Sequence, residues 1–253
     1  MNILVIGDII LDINMHGHTH RLAPEAPIPV INIDSIEYKL GGAGNVASNL
    51  KSLNCNVTIC SVIGNDNNGN IIKGLLQKHD IIPLLFFDNR NTTSKYRTYI
   101  GSSLHARYDI ENNHNIDQTL EQQIIHVLTD NIHTYNAIIF SDYMKGMLTE
   151  NICKNMIDLA NTHDIFTAVD PKDKKYNKYI GCTFIKPNKI EAINIIGSNT
   201  TVDNAEETAI KIKNLLNCKI CMITYGDKGL CILDHINNFN FLYIVAKKEI
   251  IDV

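Results

Sequence analysis

Short apolar runs that end in a small or acidic residue, alternating with amphipathic periods, constrain this chain most. Asn2 to Ile6 is such a run, closed by Gly7-Asp8. A continuous apolar run of that length reads as a strand buried on both faces of a parallel sheet. The pattern recurs. Asn56–Ile63, Ile81–Phe87, Ala137–Phe140, Ile165–Val169, Thr183–Ile185 and Lys219–Thr224 read as strands. Asn67–His79, Asp117–Asn131, Glu150–His163 and Ala205–Leu216 read as helices between them. Strands alternating with helices predict an α/β fold, a mostly parallel central sheet with helices on both faces. Gly229–Leu233 and Phe241–Val245 suggest a closing hairpin. With 253 residues, 45% of them hydrophobic, the chain can bury the core of one large domain, residues 1–253.

Two stretches break the alternation. Ile13 to Tyr38 has no helical period, holds Pro24, Pro27 and Pro29, and reads as extended pieces and turns, an antiparallel flap over about 13–39. Tyr96–Ile100 and Leu104–Ile110 are alternating strands joined by Gly101-Ser102-Ser103, a hairpin signal. Leu40 to Leu53, reading L-G-G-A-G-N-V-A-S-N-L-K-S-L, is a strand-to-helix turn. Adjacent Gly41 and Gly42 permit positive φ and close approach of a ligand to the backbone. The helix start beyond them suits an anion or a polar sugar.

Charge excludes some classes. A net charge of −4 without a basic cluster gives no nucleic-acid footprint. The first apolar run lacks a basic flank and is too short for a signal peptide or a membrane span, so cytoplasmic residence is expected. The seven cysteines sit mostly in apolar runs and read as reduced core residues. Cys218 and Cys221 form a C-x-x-C without a second ligand pair. His16, His18 and His20 share one face of a strand, with no carboxylate or cysteine beside them to complete a metal set, and read as the polar face of the flap.

Polar residues gather just after the apolar runs: Asp8 and Asp12, Asp142 in S-D-Y-M-K-G, Asp170 in D-P-K, Asn188 and Glu191 in N-K-I-E, and Thr224 in T-Y-G-D-K-G. In open α/β sheets such residues line the ligand crevice beyond the carboxyl ends of the strands. G-D-I-I-L-D at Gly7–Asp12, R-L-A-P-E-A-P-I-P-V at Arg21–Val30 and G-G-A-G-N-V-A-S-N-L at Gly41–Leu50, followed in order by S-D-Y-M-K-G, D-P-K, K-P-N-K-I-E and T-Y-G-D-K-G, resemble the heptose 7-phosphate kinase domain. That domain is the N-terminal half of bifunctional ADP-heptose synthases of lipopolysaccharide biosynthesis, within the ribokinase-like (PfkB) sugar kinases. The resemblance runs the length of the chain, and the P-E-A-P-I-P-V flap is its most specific part.

The resemblance implies a ribokinase-like fold with a small β lid, ATP and Mg²⁺ as cofactors, and phosphoryl transfer to the anomeric hydroxyl of heptose 7-phosphate. It implies sugar contacts at Asp12, Gly41, Gly42 and Asn45, with Asp142 in the same substrate set. It implies ATP contacts at Asn188, Lys189, Ile190, Glu191, Thr224, Gly226 and Gly229, and Mg²⁺ ordered through water by Asn188 and Glu191. Lys95, Arg97, Arg107 and Lys172 are candidates for the substrate phosphate or the transferring group. The lid is expected to pair two subunits into a homodimer. In the family an E-x-x-D-V such as that ending at Val253 is followed by T-G-A-G-D, whose Asp is the catalytic base. No catalytic base is therefore expected within residues 1–253, and neither Asp142, Asp170 nor Asp252 matches it. A non-catalytic sugar-phosphate-binding pseudokinase and another PfkB kinase, such as a fructokinase, stand as alternatives.

Overall fold

The computed structural model describes residues 1–172, 175–234, 236 and 238–242. The sequence-predicted Phe241–Val245 strand lies partly outside them, and Glu249 to Val253 wholly so. Strand β1 covers Asn2–Gly7 and is buried from its second residue on. β2 (Ile9–Leu22) and β3 (Pro29–Gly42) follow, then helix α1 (Ala43–Ser52), β4 (Asn56–Gly64), α2 (Asn67–Lys78) and β5 (Ile82–Asp88). β6 (Ser94–Ile100) and β7 (Ser103–Ile110) precede α3 (Gln118–Asn131), β8 (Ala137–Ser141) and α4 (Glu150–Thr162). β9 (Phe166–Asp170), β10 (Phe184–Ile185), α5 (Lys189–Ile196), α6 (Ala205–Leu216), β11 (Ile220–Thr224), β12 (Leu230–Leu233) and β13 (Phe239–Leu242) complete the order.

Among the described residues the larger sheet has nine strands in the order β13-β12-β11-β10-β9-β8-β1-β4-β5. β8, β9, β10 and β11 pair in parallel, as do β4 and β5, whereas β12 and β13 turn back antiparallel. The expected mostly parallel α/β sheet is therefore present. Contacts divide the chain into two compact units. One comprises Met1–Leu4, Asp117–Met144 and Leu148–Val253; the other comprises Val5–Ile116 and Lys145–Met147. The chain crosses between them within β1 and again through the S-D-Y-M-K-G turn.

The lid is larger than its local signal. β2 and β3 are long antiparallel strands, registered from Ile9↔Gly42 to Leu22↔Pro29. β6 joins β2 in parallel, and β7 closes the hairpin, so four strands run in the order β3-β2-β6-β7. The 94–110 hairpin, which sequence periodicity shows only as a local pair, thus belongs to the same sheet as the flap. At Gly17 the β2–β3 register shifts, and an added Cβ would sit 2.2 Å from the Asn32 carbonyl oxygen. The bulge needs a residue without a side chain there.

Side chains cap α2, α3 and α4. Asp66 accepts from Gly69 N–H, Asp117 from Leu120 N–H and Thr149 from Ile152 N–H, each satisfying a helix-start donor. Asp66 does more than cap. Its carboxylate also accepts from the Thr92 hydroxyl at 2.7 Å and the Thr92 N–H at 2.8 Å, fastening the start of α2 to the segment leading into β6. Burial alone would raise its pKa, but the bonds from Thr92, Gly69 and Asn68 outweigh it and hold the carboxyl below its ordinary value. A lowered folded-state pKa stabilises above the unfolded value, near 4, and that gain is lost as pH falls through the folded value. Asp66→Ala is expected to cost about 1–2 kcal/mol in urea unfolding at pH 7. The deficit should narrow as pH drops below about 4; a deficit that stays constant to acid pH would exclude the carboxylate as its source.

Candidate active site

Of the residues expected to contact a sugar, Asp12, Gly41, Gly42 and Asn45 lie in the unit that contains the lid, and Asp142 lies in the other. Cross-strand partners share a face of a sheet. Asp12 on β2 pairs with Lys95 on β6 and with Lys39 on β3. Lys95 pairs in turn with Asp109, and Arg97 with Arg107. One face of the lid sheet therefore carries Asp12, Lys95, Arg97, Arg107 and Asp109. Arg97 Nη1 reaches diagonally to Asp12 Oδ1 at 2.7 Å. Arg107 pairs with Asp109 at 2.9 Å. Lys95 is half-buried; burial lowers its pKa, Asp12 and Asp109 oppose this, and Arg107 and Lys145 lower it further. Those couplings place Lys145 in the same electrostatic neighbourhood.

Gly41 lies beneath the Asp12 carboxylate. A Cβ on it would come within 2.1 Å of Asp12 Oδ2, so any side chain there would displace the acid. Gly42 has φ +55° at the α1 N-cap, and its Cβ would meet the Asp8 carbonyl oxygen at 2.4 Å. No side chain caps α1, and Ala43 N–H donates to that Asp8 carbonyl at 2.9 Å. Asn45 is the third residue of α1 and is exposed. Asp12, Gly41, Gly42 and Asn45, which motif order brings together, are thus gathered at the β2–β3–α1 junction.

Asp8, a second candidate for ligand contact, has another task. It is buried, and its carboxylate accepts from Lys145 N–H and Met147 N–H, both at 3.1 Å. Arg90, buried in a bidentate pair with Asp88, donates to the Lys145 carbonyl. Lys145 Nζ meets Glu111 at 2.8 Å and Asn113 at 2.9 Å. The S-D-Y-M-K-G motif was legible, but the clamping of its lysine was not, because every partner is more than 30 residues away in sequence.

The remaining predicted residues lie in the other unit. Asn188 and Glu191 form a capping box on α5: Asn188 Oδ1 accepts from Glu191 N–H at 3.0 Å, and Glu191 Oε2 accepts from Asn188 N–H at 2.8 Å. The other Glu191 oxygen, Oε1, is 3.5 Å from Lys172 Nζ. Thr224 N–H donates to the Pro187 carbonyl at 3.1 Å, and Asn188 bridges Thr224, so the N-x-x-E and T-Y-G-D-K-G turns lie side by side. The second turn closes through Tyr225 N–H to the Gly229 carbonyl at 2.8 Å, with Gly226 at φ +65° and Gly229 at φ +100°. Lys189, Tyr225, Asp227 and Lys228, with residues 201–203, line a cleft of about 710 Å³ beside these turns. Ile190 is strongly exposed at the start of α5.

Asp142 sits apart from an open surface. Its carboxylate is buried, accepts from Met144 N–H at 2.8 Å and the Tyr179 hydroxyl, and pairs with Lys178 at 2.8 Å. Among the histidines, His18 pairs with Asp34 at 2.9 Å and His16 stacks on Tyr99. Six cysteines are buried and Cys55 is partly so, and among the described residues no three His, Cys, Asp or Glu side chains gather as a metal site. Among them too, no helix is long and apolar enough to cross a membrane.

A family model of pfkB carbohydrate kinases matches residues 1–253. The chain belongs to the pfkB family of carbohydrate kinases. It is 38% identical over its full length to the bifunctional protein HldE of Aliarcobacter butzleri, covering 53% of that protein. It is 35% identical to the HldE of Sulfurimonas denitrificans, with 99% of this chain and 53% of the relative covered. The chain thus spans about half the length of these curated relatives. In fold it is similar to phosphofructokinase-2 from Escherichia coli in complex with fructose-6-phosphate, with a TM-score of 0.76, 16% identity, and 98% of this chain and 80% of that one covered. A carbohydrate kinase from Agrobacterium tumefaciens gives a TM-score of 0.68 at 17% identity, with coverage of 92% and 73%. This pfkB-family chain is a sugar kinase by family, and its ribokinase-like fold agrees with the expected one.

Gly41→Ala is expected to leave the secondary structure intact and to turn the Asp12 carboxylate away from the β2–β3–α1 junction, breaking its 2.7 Å contact with Arg97. A crystal structure of the variant checks this, and an unmoved carboxylate would show that the junction tolerates a side chain.

Proposed function

We propose that the chain supplies the sugar- and nucleotide-binding residues of an ATP-dependent kinase that acts on the anomeric hydroxyl of heptose 7-phosphate to give heptose 1,7-bisphosphate. One observation carries the reading. Asp12, bared by Gly41 and oriented by Arg97, shares a lid face with Lys95 and Arg107, and Lys95 also couples to Lys145. A carboxylate accepts hydrogen bonds from sugar hydroxyls, and clustered cations suit a phosphate on the same molecule. The HldE relatives support the heptose branch.

On this reading Asp12, Gly41, Gly42 and Asn45 bind the sugar hydroxyls, with Asp142 holding the adjoining turn, and Arg107 with Lys95 and Lys145 meets the substrate phosphate. Asn188, Lys189, Ile190, Glu191, Thr224, Gly226 and Gly229 form the nucleotide side, with Lys172 near the transferring group. The donor set fits Mg²⁺ bound through water. Glu191 Oε1 is not used by the capping box, and Mg²⁺ keeps most of its waters when nucleotide phosphates supply its other ligands. Bound there, Mg²⁺ would neutralise charge on the transferring phosphoryl group. The carboxylates of Asp8 and Asp142 are committed internally and serve as scaffold, so neither acts as proton acceptor. We further assign the protein to the cytoplasm and to a homodimer formed through the lid. The lid sheet's other face exposes Ile36, Tyr38, Tyr108 and Ile110, and apolar residues clustered this way suit a second copy.

Calorimetry of the chain with heptose 7-phosphate, fructose 6-phosphate and fructose is expected to rank heptose 7-phosphate first and the unphosphorylated sugar at least tenfold weaker, about 1.4 kcal/mol. Asp12→Asn is expected to weaken heptose 7-phosphate binding by a similar factor. Phosphorus NMR with Mg-ATP then separates a kinase, which accumulates the bisphosphate, from a sugar-phosphate-binding protein that does not turn over. A preference for unphosphorylated fructose would overturn the heptose assignment in favour of another pfkB kinase.

A further inference from the structure

We propose that Lys178 is a positioning residue for the sugar half-site, acting by closing the S-D-Y-M-K-G turn and so setting Lys145. The role of Lys145 rests on the sugar-kinase reading; the closure itself stands on geometry. Lys178 lies in a short 3-10 turn at Tyr176–Tyr179, outside every motif that the sequence offers. Its Nζ is 2.8 Å from Asp142 Oδ2 and 2.9 Å from the Leu148 carbonyl. One cation therefore ties the beginning of the turn to its end. The side chains of Lys178 and Asp142 are 5% and 2% exposed, so the pair is desolvated, and removing one partner strands the other.

The turn between those ties is strained. Met144 has φ +58°, a region that side-chain-bearing residues seldom occupy, and its N–H is held by Asp142 Oδ1 at 2.8 Å. Gly146 has φ +88°, and its Cβ position is closed off by the His114 carbonyl at 1.9 Å. Such a backbone persists only when its surroundings over-determine it. Between the two ends, Lys145 is fixed by Asp8 at its N–H, Arg90 at its carbonyl, and Glu111 and Asn113 at its Nζ. Those four partners act on the middle of the turn, whereas Lys178 acts on its ends. Without the closure, Asp142 keeps the Tyr179 hydroxyl but loses its buried counter-cation, the tie from Asp142 to the Leu148 carbonyl is gone, and the strained turn that carries the Lys145 peptide is held at its start alone.

The test uses Lys178→Met, which keeps the length of the chain and removes the charge, and the pair Asp142→Asn with Lys178→Met, which removes both charges. Hydrogen exchange should show the amides of Met144, Lys145 and Met147 opening at least tenfold faster in Lys178→Met, with Ile138 to Phe140 of β8 unchanged. The charge-free pair should recover melting temperature while its turn amides stay fast, because the tie to Leu148 is still missing. Slow turn amides in either variant would overturn the proposal. Affinity for heptose 7-phosphate should fall at least tenfold in Lys178→Met and in Lys145→Ala, and no further when the two are combined. Multiplicative losses would mean that Lys178 does not act through Lys145, and would overturn that part. A wild-type chain that binds no sugar phosphate refutes the sugar-kinase reading instead, and the exchange rates alone then decide whether Lys178 holds the turn.

Discussion

The Asp8 side chain and carbonyl anchor the junction of β1, the start of α1 and the S-D-Y-M-K-G turn. Asp8 leaves β1 buried, with its carboxylate spread over two peptide N–H groups of the S-D-Y-M-K-G turn and its carbonyl on the first N–H of α1. Hydrogen bonds to an ionised group are roughly twice as strong as neutral ones, and an unpaired buried carboxylate is costly. Those two facts make the arrangement close to all-or-none. Gly42 can present its left-handed turn only because nothing but hydrogen faces the Asp8 carbonyl. The start of α1, the lysine of the turn and the end of β1 are therefore one unit of geometry. Asp12, four residues further on, inherits its place from it.

The acids that follow apolar runs divide here into those consumed by the fold and those left available. Asp8, Asp66 and Asp142 each hold backbone donors and are largely spent in doing so. Asp12 is held by a flexible arginine across a strand pair and lies over a glycine, so a ligand hydroxyl can compete for it. Glu191 is divided between the two roles. One oxygen closes a capping box and the other faces a lysine at 3.5 Å. The N-x-x-E spacing suits both tasks for one reason: a residue at the third helical position can reach back to the cap, and its carboxylate then stands at the positive end of the helix.

Much of this was readable in advance where the signal was local. The strand runs, the helix periods, the Gly41-Gly42 turn and the polar residues after each strand depend on near neighbours, and each was found within a few residues of its place. The lid was read as a flap over about 13–39, yet its sheet also contains β6 and β7. Nothing local in Tyr96–Ile100 says that it pairs in parallel with a strand some 80 residues earlier. In the sequence Arg97 is one of several candidate cations, and only that register carries it to Asp12. Lys178 gave no signal at all, because a lysine in K-Y-N-K-Y looks like a solvated surface residue.

By itself the sequence determined which segments are strands and helices and which family the motifs belong to. These follow from periodicity, turn chemistry and residue order, all properties of a linear chain. Only the tertiary structure decided which acids stay available, which cations gather around Asp12, and that a distant buried lysine closes the turn carrying Lys145. Strand register and burial set those outcomes. A one-residue slip would send Arg97 to the opposite face, and a solvated Lys178 would have no reason to choose Asp142.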